Sequence, residues 1–225
     1  MKKICSGLLV ILEGGEGVGK TTHAKALVDY YNSQGYTAKY FREPGGNPLA
    51  EQIRNMILYN DMDTVTETLL MNAARKINID NNILPALRDG NIVILDRFTK
   101  STLVYQGILN KGDLDFINNC IEQVAKDLFD NDGYTLEFTL LCDPEVAAMR
   151  AASEGHERNK YDVMPIEKYK EINDAYKKLY RGYSFYPYAP ICATIDTTEL
   201  SLNYVFEQLR LSIDKILEGC DIDEE

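Results

Sequence analysis

The stretch LLVILEGGEGVGKTTHAKALVDYY, from Leu8 to Tyr31, constrains the fold more than any other part of the chain. An apolar run, Leu8–Leu12, leads into a glycine-rich loop, and Lys20 and Thr21 then open a run compatible with a helix. The spacing Gly14-x4-Gly19-Lys20-Thr21 is the phosphate-loop pattern G-x-x-x-x-G-K-[ST]. Such a loop works only when a strand delivers it and a helix leaves it. Gly14, Gly15, Gly17 and Gly19 can then turn backbone N–H groups onto phosphate oxygens at the positive end of that helix. Lys20 is placed to reach the β- and γ-phosphates of a nucleotide, and the Thr21 hydroxyl to meet Mg2+. Val18 and Thr22 complete the loop. Glu16 is the anomaly, a carboxylate inside an anion cradle. By itself the loop does not separate a kinase from a GTPase or a motor ATPase.

Four more β-rich runs follow: Thr37–Phe41, Ile92–Leu95, Leu136–Cys142 and Ile191–Ile195. All but Thr37–Phe41 are apolar at consecutive positions, as parallel strands buried on both faces are. Thr37–Phe41 is expected at a sheet edge. Helix-length segments separate the runs, and Ile166, Tyr169, Ile172, Tyr176 and Leu179 keep the three-to-four spacing of an apolar helical stripe, read as core packing. The expected architecture is α/β, a five-stranded parallel sheet flanked by helices, in one domain spanning 1–225. With 225 residues, folding buries roughly 70–75% of the unfolded surface, so neither metal nor disulfide is required for stability.

Net charge is −11, from 35 acids against 24 bases, which disfavours a nucleic-acid partner but not a small phosphorylated ligand. Cys5, Cys120, Cys142, Cys192 and Cys220 are odd in number and lack CxxC spacing, so free thiols in a reducing cytoplasm are expected. LLVIL is shorter than the ~7–15 residues of a signal-peptide core and runs directly into the loop. No run approaches the ~18 apolar residues of a membrane helix, so no membrane partner is expected. The acidic end DIDEE, Asp221–Glu225, is expected to fray in solvent.

In NIVILDRF, Asn91–Phe98, an acid stands at the carboxyl end of a strand, where ligands bind in open α/β sheets. Asp96 can share the Mg2+ shell with Thr21, and Arg97 can hold a phosphoryl oxygen; a structural Asp–Arg pair is the alternative. REPGG, Arg42–Gly46, follows the second strand and can present a guanidinium to a second phosphate, although the same residues make an ordinary turn. RAASEGHERNK, Arg150–Lys160, is placed either as a lid carrying cations over a transferring phosphoryl group or as a solvated loop. NKGD, Asn110–Asp113, imitates a guanine-recognition motif but follows YQGIL and precedes a helical pattern, so a turn is expected. His23, just after the loop, is expected at the surface.

Together these segments resemble the bacterial-type thymidylate kinases (dTMP kinases), P-loop NTPases of the nucleoside monophosphate kinase type. EGGEGVGKTT resembles the family's loop, FREPGGNPLAEQIR its TREPGG stretch, DRFTKSTLVYQG its DRYxxSxxAYQG, and LLMNAARKINIDNNILPAL its LLFAADR segment. The ordered matches run from about Leu8 to Gly107 and continue more weakly to IDTT, Ile195–Thr198.

The resemblance implies transfer of the ATP γ-phosphoryl group to dTMP, giving dTDP, with Mg2+ bound with ATP. The alternative is a broader nucleoside monophosphate kinase or a deoxynucleoside kinase. It implies donor contacts from Gly14 to Thr22 and from Arg150, and a lid around 150–162 with Arg158 or Lys160 as catalytic cation. It also implies that Arg42 and Arg97 hold the acceptor phosphate, and that Arg75 meets the thymine edge, helped by Ser101 or Thr102. Tyr105 and Gln106 would line the sugar and base pocket, and Glu16 would engage the 3′-hydroxyl. A homodimer is implied as well. Two positions depart from the family pattern: Met71 stands where a base-stacking Phe is usual, and Phe98 where a Tyr is usual. Gly17, where some relatives carry arginine, fits the bacterial pattern, in which the lid and not the loop supplies the catalytic cation.

Overall fold

The computed structural model describes residues 2–4, 6–130, 133–153, 164–182, 191–220 and 222–224. A short strand, β1 (Lys2–Ile4), precedes the five expected ones: β2 (Leu8–Glu13), β3 (Ala38–Arg42), β4 (Ile92–Asp96), β5 (Tyr134–Leu141) and β6 (Ile191–Asp196). These five form one sheet in the order β3-β4-β2-β5-β6, parallel throughout. The less apolar run is at an edge as expected; of β3, only Ala38 is fully buried. The central strand β2 is buried along its whole length.

The helices are α1 (Lys20–Ser33), α2 (Pro48–Tyr59), α3 (Thr64–Asn78), α4 (Leu84–Arg88), α5 (Thr99–Thr102), α6 (Leu114–Phe129), α7 (Pro144–Ser153), α8 (Ile166–Gly182) and α9 (Leu202–Leu217). Strand alternation divides them between the two faces of the sheet. Leu8, Val10 and Leu12 pack with Leu27 of α1 and Leu209 and Ile213 of α9. Leu9 and Ile11 face the other way, onto Leu87 of α4 and Ala125 and Leu128 of α6. Each such fully buried aliphatic side chain contributes about 1.5–3 kcal/mol, so the sheet is secured from both sides. The α8 stripe packs as expected: Ile172, Tyr176 and Leu179 join Ile117 and Ile121 of α6 in a third cluster.

Two π-helical turns, Ile79–Ile83 and Leu103–Leu109, extend α3 and α5. The second carries Tyr105 and Gln106 into the site described below; widened turns of this kind are frequent at functional sites.

Two expectations are corrected. The acidic tail does not simply fray: Ile222–Glu224 forms β7, antiparallel to β1, with Lys2 opposite Glu224 and Ile4 opposite Ile222. A complete backbone pairing outweighs the polar character that made the tail read as solvated. His23 is not at the surface but 2% exposed in the first turn of α1, and burial lowers its pKa.

NKGD is a turn followed by a cap. Lys111 takes a left-handed φ of 55°. The Asp113 carboxylate accepts hydrogen bonds from Asp115 N at 2.9 Å and Phe116 N at 3.1 Å, closing the first turn of α6. Asp113→Ala should therefore cost about 1 kcal/mol in chemical denaturation while leaving the preference between ATP and GTP as donor unchanged. A shift in that preference would return the segment to guanine recognition.

Candidate active site

The phosphate loop leaves the central strand where its glycines take conformations closed to other residues. Gly14, Gly17 and Gly19 have φ of 142°, 72° and 94°. A Cβ on Gly14 would stand 2.3 Å from Leu140 O, and one on Gly17 would stand 2.0 Å from Ala147 O. The second contact accounts for glycine at position 17: α7 abuts the loop and leaves no room for a side chain. Lys20 is 5% exposed and its Nζ donates to Gly15 O at 2.5 Å, across the loop. Burial lowers its pKa, reinforced by Arg97, while Glu16, Asp96 and Glu13 pull the other way.

The hydroxyl and carboxylate expected to share Mg2+ meet at the first turn of α1. Thr21 Oγ1 donates to Asp96 Oδ2 at 2.5 Å, and Tyr40 OH to the same oxygen at 3.3 Å. Burial, then Asp96, raises the Tyr40 pKa. Among the described residues no group of three or more His, Cys, Asp or Glu could cage a metal ion. One carboxylate and one hydroxyl beside a phosphate loop nevertheless suit Mg2+, which keeps several waters and takes further oxygens from phosphate.

Below this surface lies a buried carboxylate. Glu13 ends β2 with no exposure. It accepts from Phe98 N at 2.8 Å, Ser101 N at 3.1 Å, Ser101 Oγ at 2.7 Å and Tyr176 OH at 3.1 Å. These bonds hold the turn after β4, in which Arg97 adopts φ 69°, a left-handed conformation unusual outside glycine. So held, Arg97 donates to Gly14 O at 2.9 Å, Ser101 Oγ at 3.2 Å and Tyr176 OH at 3.4 Å, and its Nη2 meets Glu16 Oε1 at 2.5 Å. Glu16 thus turns away from the loop's amide cradle toward Arg97.

Around these groups a cleft of about 560 Å³ opens at the carboxyl ends of the strands. Lys20, Lys25, Arg42, Arg54, Arg75 and Arg97 line it against Glu16, Glu43 and Asp96, a local excess of positive charge in an acidic chain. Arg42 pairs with Glu51 through Nη2 at 2.9 Å and 3.0 Å and Nε at 3.3 Å. Glu51 also accepts from Gly46 N at 3.1 Å, which ties the REPGG turn to α2. Arg54, one helical turn on, donates to Pro44 O at 3.0 Å; burial and the neighbouring Arg42 lower its pKa.

Arg75 is 2% exposed and makes four hydrogen bonds: to Glu43 at 2.8 Å, Asn72 at 2.9 Å, Phe98 O at 3.2 Å and Thr102 Oγ1 at 2.9 Å. A guanidinium has five N–H groups, so one on Nη1 is left for the cleft. Burial outweighs Arg75 at Glu43 and pushes that carboxyl up to about 7. The Phe98 ring packs under the Arg75 guanidinium at 5.3 Å, a contact that needs no phenol hydroxyl. Met71, Ser101, Tyr105 and Gln106 line the cleft. Thr102 is fully buried, and its hydroxyl accepts from Arg75 Nη2, so its contact with the site runs through that guanidinium. Arg150 is elsewhere, on α7, donating to Thr197 O and Thr198 O at 3.1 Å each and so holding the IDTT loop. Arg158, Lys160 and the lid beyond Ser153 lie outside the described residues.

Residues 12–187 match the family model described as Thymidylate kinase. A thymidylate kinase from Clostridium novyi is 38% identical over 184 residues, covering 79% of this chain and 86% of the relative. The chain belongs to the thymidylate kinase family. A thymidylate kinase from Rickettsia bellii is 32% identical over 216 residues, covering 96% of this chain and all of the relative, 100%. The crystal structure of thymidylate kinase from Ehrlichia chaffeensis superposes with a TM-score of 0.66 at 26% identity, covering 94% of this chain and 99% of that one.

Sequence reasoning for this thymidylate kinase family member missed Glu13, Tyr40, Arg54 and Tyr176. An acid closing an apolar strand was a usable signal for Glu13, and the arginine ending FREPGGNPLAEQIR was one for Arg54. Glu13→Gln would turn an amide group toward four donors. It should cost about 1–3 kcal/mol in denaturation and depress kcat through Arg97, whereas an unperturbed variant would show that the turn holds itself.

Proposed function

We propose that this chain transfers the γ-phosphoryl group of ATP to dTMP, giving dTDP. The observation that carries this reading is the meeting of two cationic sets in one cleft. Lys20 and the phosphate loop serve one polyphosphate, while Arg42 and Arg97 arrive from the ends of β3 and β4 to serve a second phosphate. A nucleoside acceptor would leave that second set without a purpose.

In this reading the acceptor phosphate takes Arg42 from Glu51 and Arg97 from Glu16. Glu16 then faces the deoxyribose 3′-hydroxyl, Met71 and Tyr105 flank the base and sugar, and the spare Arg75 N–H meets thymine O4. Thr21 and Asp96 would hold Mg2+, which when bound neutralises charge on the donor phosphates. Little covalent help is needed, because positioning and charge neutralisation dominate phosphoryl transfer. Lys20 holds the donor, and Arg158 or Lys160 on the lid supplies a further cation. Gly17 supports that assignment, since α7 excludes a loop arginine.

The reading includes a homodimer, supported by Leu49 and Met56 on α2 and Val65 and Leu69 on α3, all more than half exposed. It also includes a cytoplasmic setting without nucleic-acid or membrane partners. Cys120, Cys142 and Cys192 are free thiols, and no helix among the described residues is long and apolar enough to cross a membrane.

An ADP-release assay over dTMP, dUMP, dCMP, dGMP and thymidine, with Lys20→Ala as control, tests the assignment. dTMP should lead, with dUMP lower by roughly 10–200-fold, the worth of one methyl in an apolar pocket. dCMP should fall further, because Arg75 would meet an amino group, and thymidine should not turn over. Equal rates with dCMP and dTMP would sink the thymine assignment. Glu16 has a separate test. Wild type should prefer dTMP to its 3′-deoxy analogue, and Glu16→Ala should erase that preference; a preference that survives makes Glu16 a loop carboxylate and no more.

A further inference from the structure

Gln106 is a buried polar side chain that the fold leaves half satisfied. It is fully buried on the π-helical turn Leu103–Leu109, yet it lines the cleft. Its Nε2 donates to Glu67 Oε1 at 2.8 Å, while its Oε1 has no hydrogen-bond partner. A buried acceptor left bare costs about 1–3 kcal/mol, which points to a donor supplied by whatever fills the cleft.

Glu67 decides which amide atom is left bare. It is 4% exposed on α3, where Glu67, Met71 and Arg75 follow at intervals of four residues on one stripe, of which Met71 and Arg75 line the cleft. A carboxylate offers acceptors only, so the amide nitrogen must face Glu67 and the oxygen must face away. An amide at position 67 could take either role and would leave Gln106 free to turn over.

We propose that Glu67 is a positioning residue that fixes the Gln106 amide with its oxygen toward the base, so that the site reads an N–H at pyrimidine N3. This rests on the dTMP reading above. Thymine presents O4 as an acceptor and N3–H as a donor, matching the spare Arg75 N–H and the Gln106 oxygen. Cytosine presents an amino group and a bare N3, so both contacts reverse. Arg75 alone would judge one atom of that edge; Glu67 acting through Gln106 extends the judgement to a second. Uracil shares the thymine edge, so this device separates dTMP from dCMP but not from dUMP.

The test is kcat/KM for dTMP, dUMP and dCMP with wild type, Glu67→Gln, Gln106→Met and the double variant, each checked for a native thermal transition. Glu67→Gln should lower the dTMP-to-dCMP ratio about tenfold, the worth of one buried hydrogen bond, and leave the dTMP-to-dUMP ratio as in wild type. Gln106→Met should lower the dTMP-to-dCMP ratio at least as far, and adding Glu67→Gln to it should change nothing more, because the amide that Glu67 orients is gone. A merely structural Glu67 would weaken all three substrates together and leave both ratios intact, which overturns the proposal. An undiminished ratio in Gln106→Met overturns it too, even where Glu67→Gln fails to fold. If wild type itself does not favour dTMP over dCMP, the dTMP reading fails and the proposal with it; loss of the proposal alone appears as a selective wild type with equally selective variants.

Discussion

The buried carboxylate of Glu13 is the interaction on which the site depends. A lone carboxylate inside a protein is expensive to desolvate, and what makes it tolerable is complete hydrogen bonding. Glu13 obtains that from Phe98 N, Ser101 and Tyr176. Its effect is mainly geometric. The phosphate loop continues from Glu13 along the chain, and the Arg97 turn hangs from its side chain. One residue at the end of the central strand therefore sets the spacing between the phosphate loop and Arg97. Arg97 completes the link by donating back to Gly14 O, at the start of the loop.

The ion pairs of the cleft differ in whether a ligand can displace them. Arg75–Glu43 is sealed, its side chains 2% and 4% exposed, while Arg42–Glu51 is open at 43% and 35%. A solvent-exposed pair is worth about 0–1 kcal/mol, so a phosphate can replace the Glu51 carboxylate at little cost. Breaking a buried pair costs several times more, so Arg75 stays where Glu43, Asn72, Phe98 O and Thr102 hold it. Arg97–Glu16 is intermediate, at 15% and 28%. The cations expected to move with substrate are thus the accessible ones, and the one expected to read the base is rigid. These acids also keep neighbouring arginines close together; at Arg54 burial first, and Arg42 second, lower the pKa, while Glu51 pulls the other way.

What the sequence made legible was the part carried by local pattern. The buried strands β2, β4 and β5 appear as apolar runs, and all five strands were readable; Ile191–Ile195, though apolar enough to read as buried, stands at the second edge of the sheet and is only partly covered. The phosphate loop announces itself because its chemistry is contiguous. Residues whose roles depend on packing between distant segments were not readable. The spacing of Tyr176 marks it as core, which it is, but nothing in a helical period says that its hydroxyl meets a carboxylate 163 positions away. The pairing of β1 with β7 joins the two ends of the chain through three-residue strands with little apolar signal. Thr102 sits in a motif that suggested help for Arg75 at the base, and only the fold shows its buried hydroxyl accepting from that guanidinium.

Position 17 shows how one backbone conformation shapes the rest of the catalytic arrangement. A side chain there would need α7 to withdraw from the loop, because its Cβ would stand 2.0 Å from Ala147 O. That helix is not free to move alone. Ala147 is buried in the main core with Val18, and Arg150 holds Thr197 O and Thr198 O. Thr197 in turn donates to Val18 O at 3.4 Å, so the loop, α7 and the segment after β6 form one closed circuit. Displacing α7 would open all three contacts to admit one cation. The glycine keeps the circuit shut, and any further cation beside Lys20 has to approach from outside the loop.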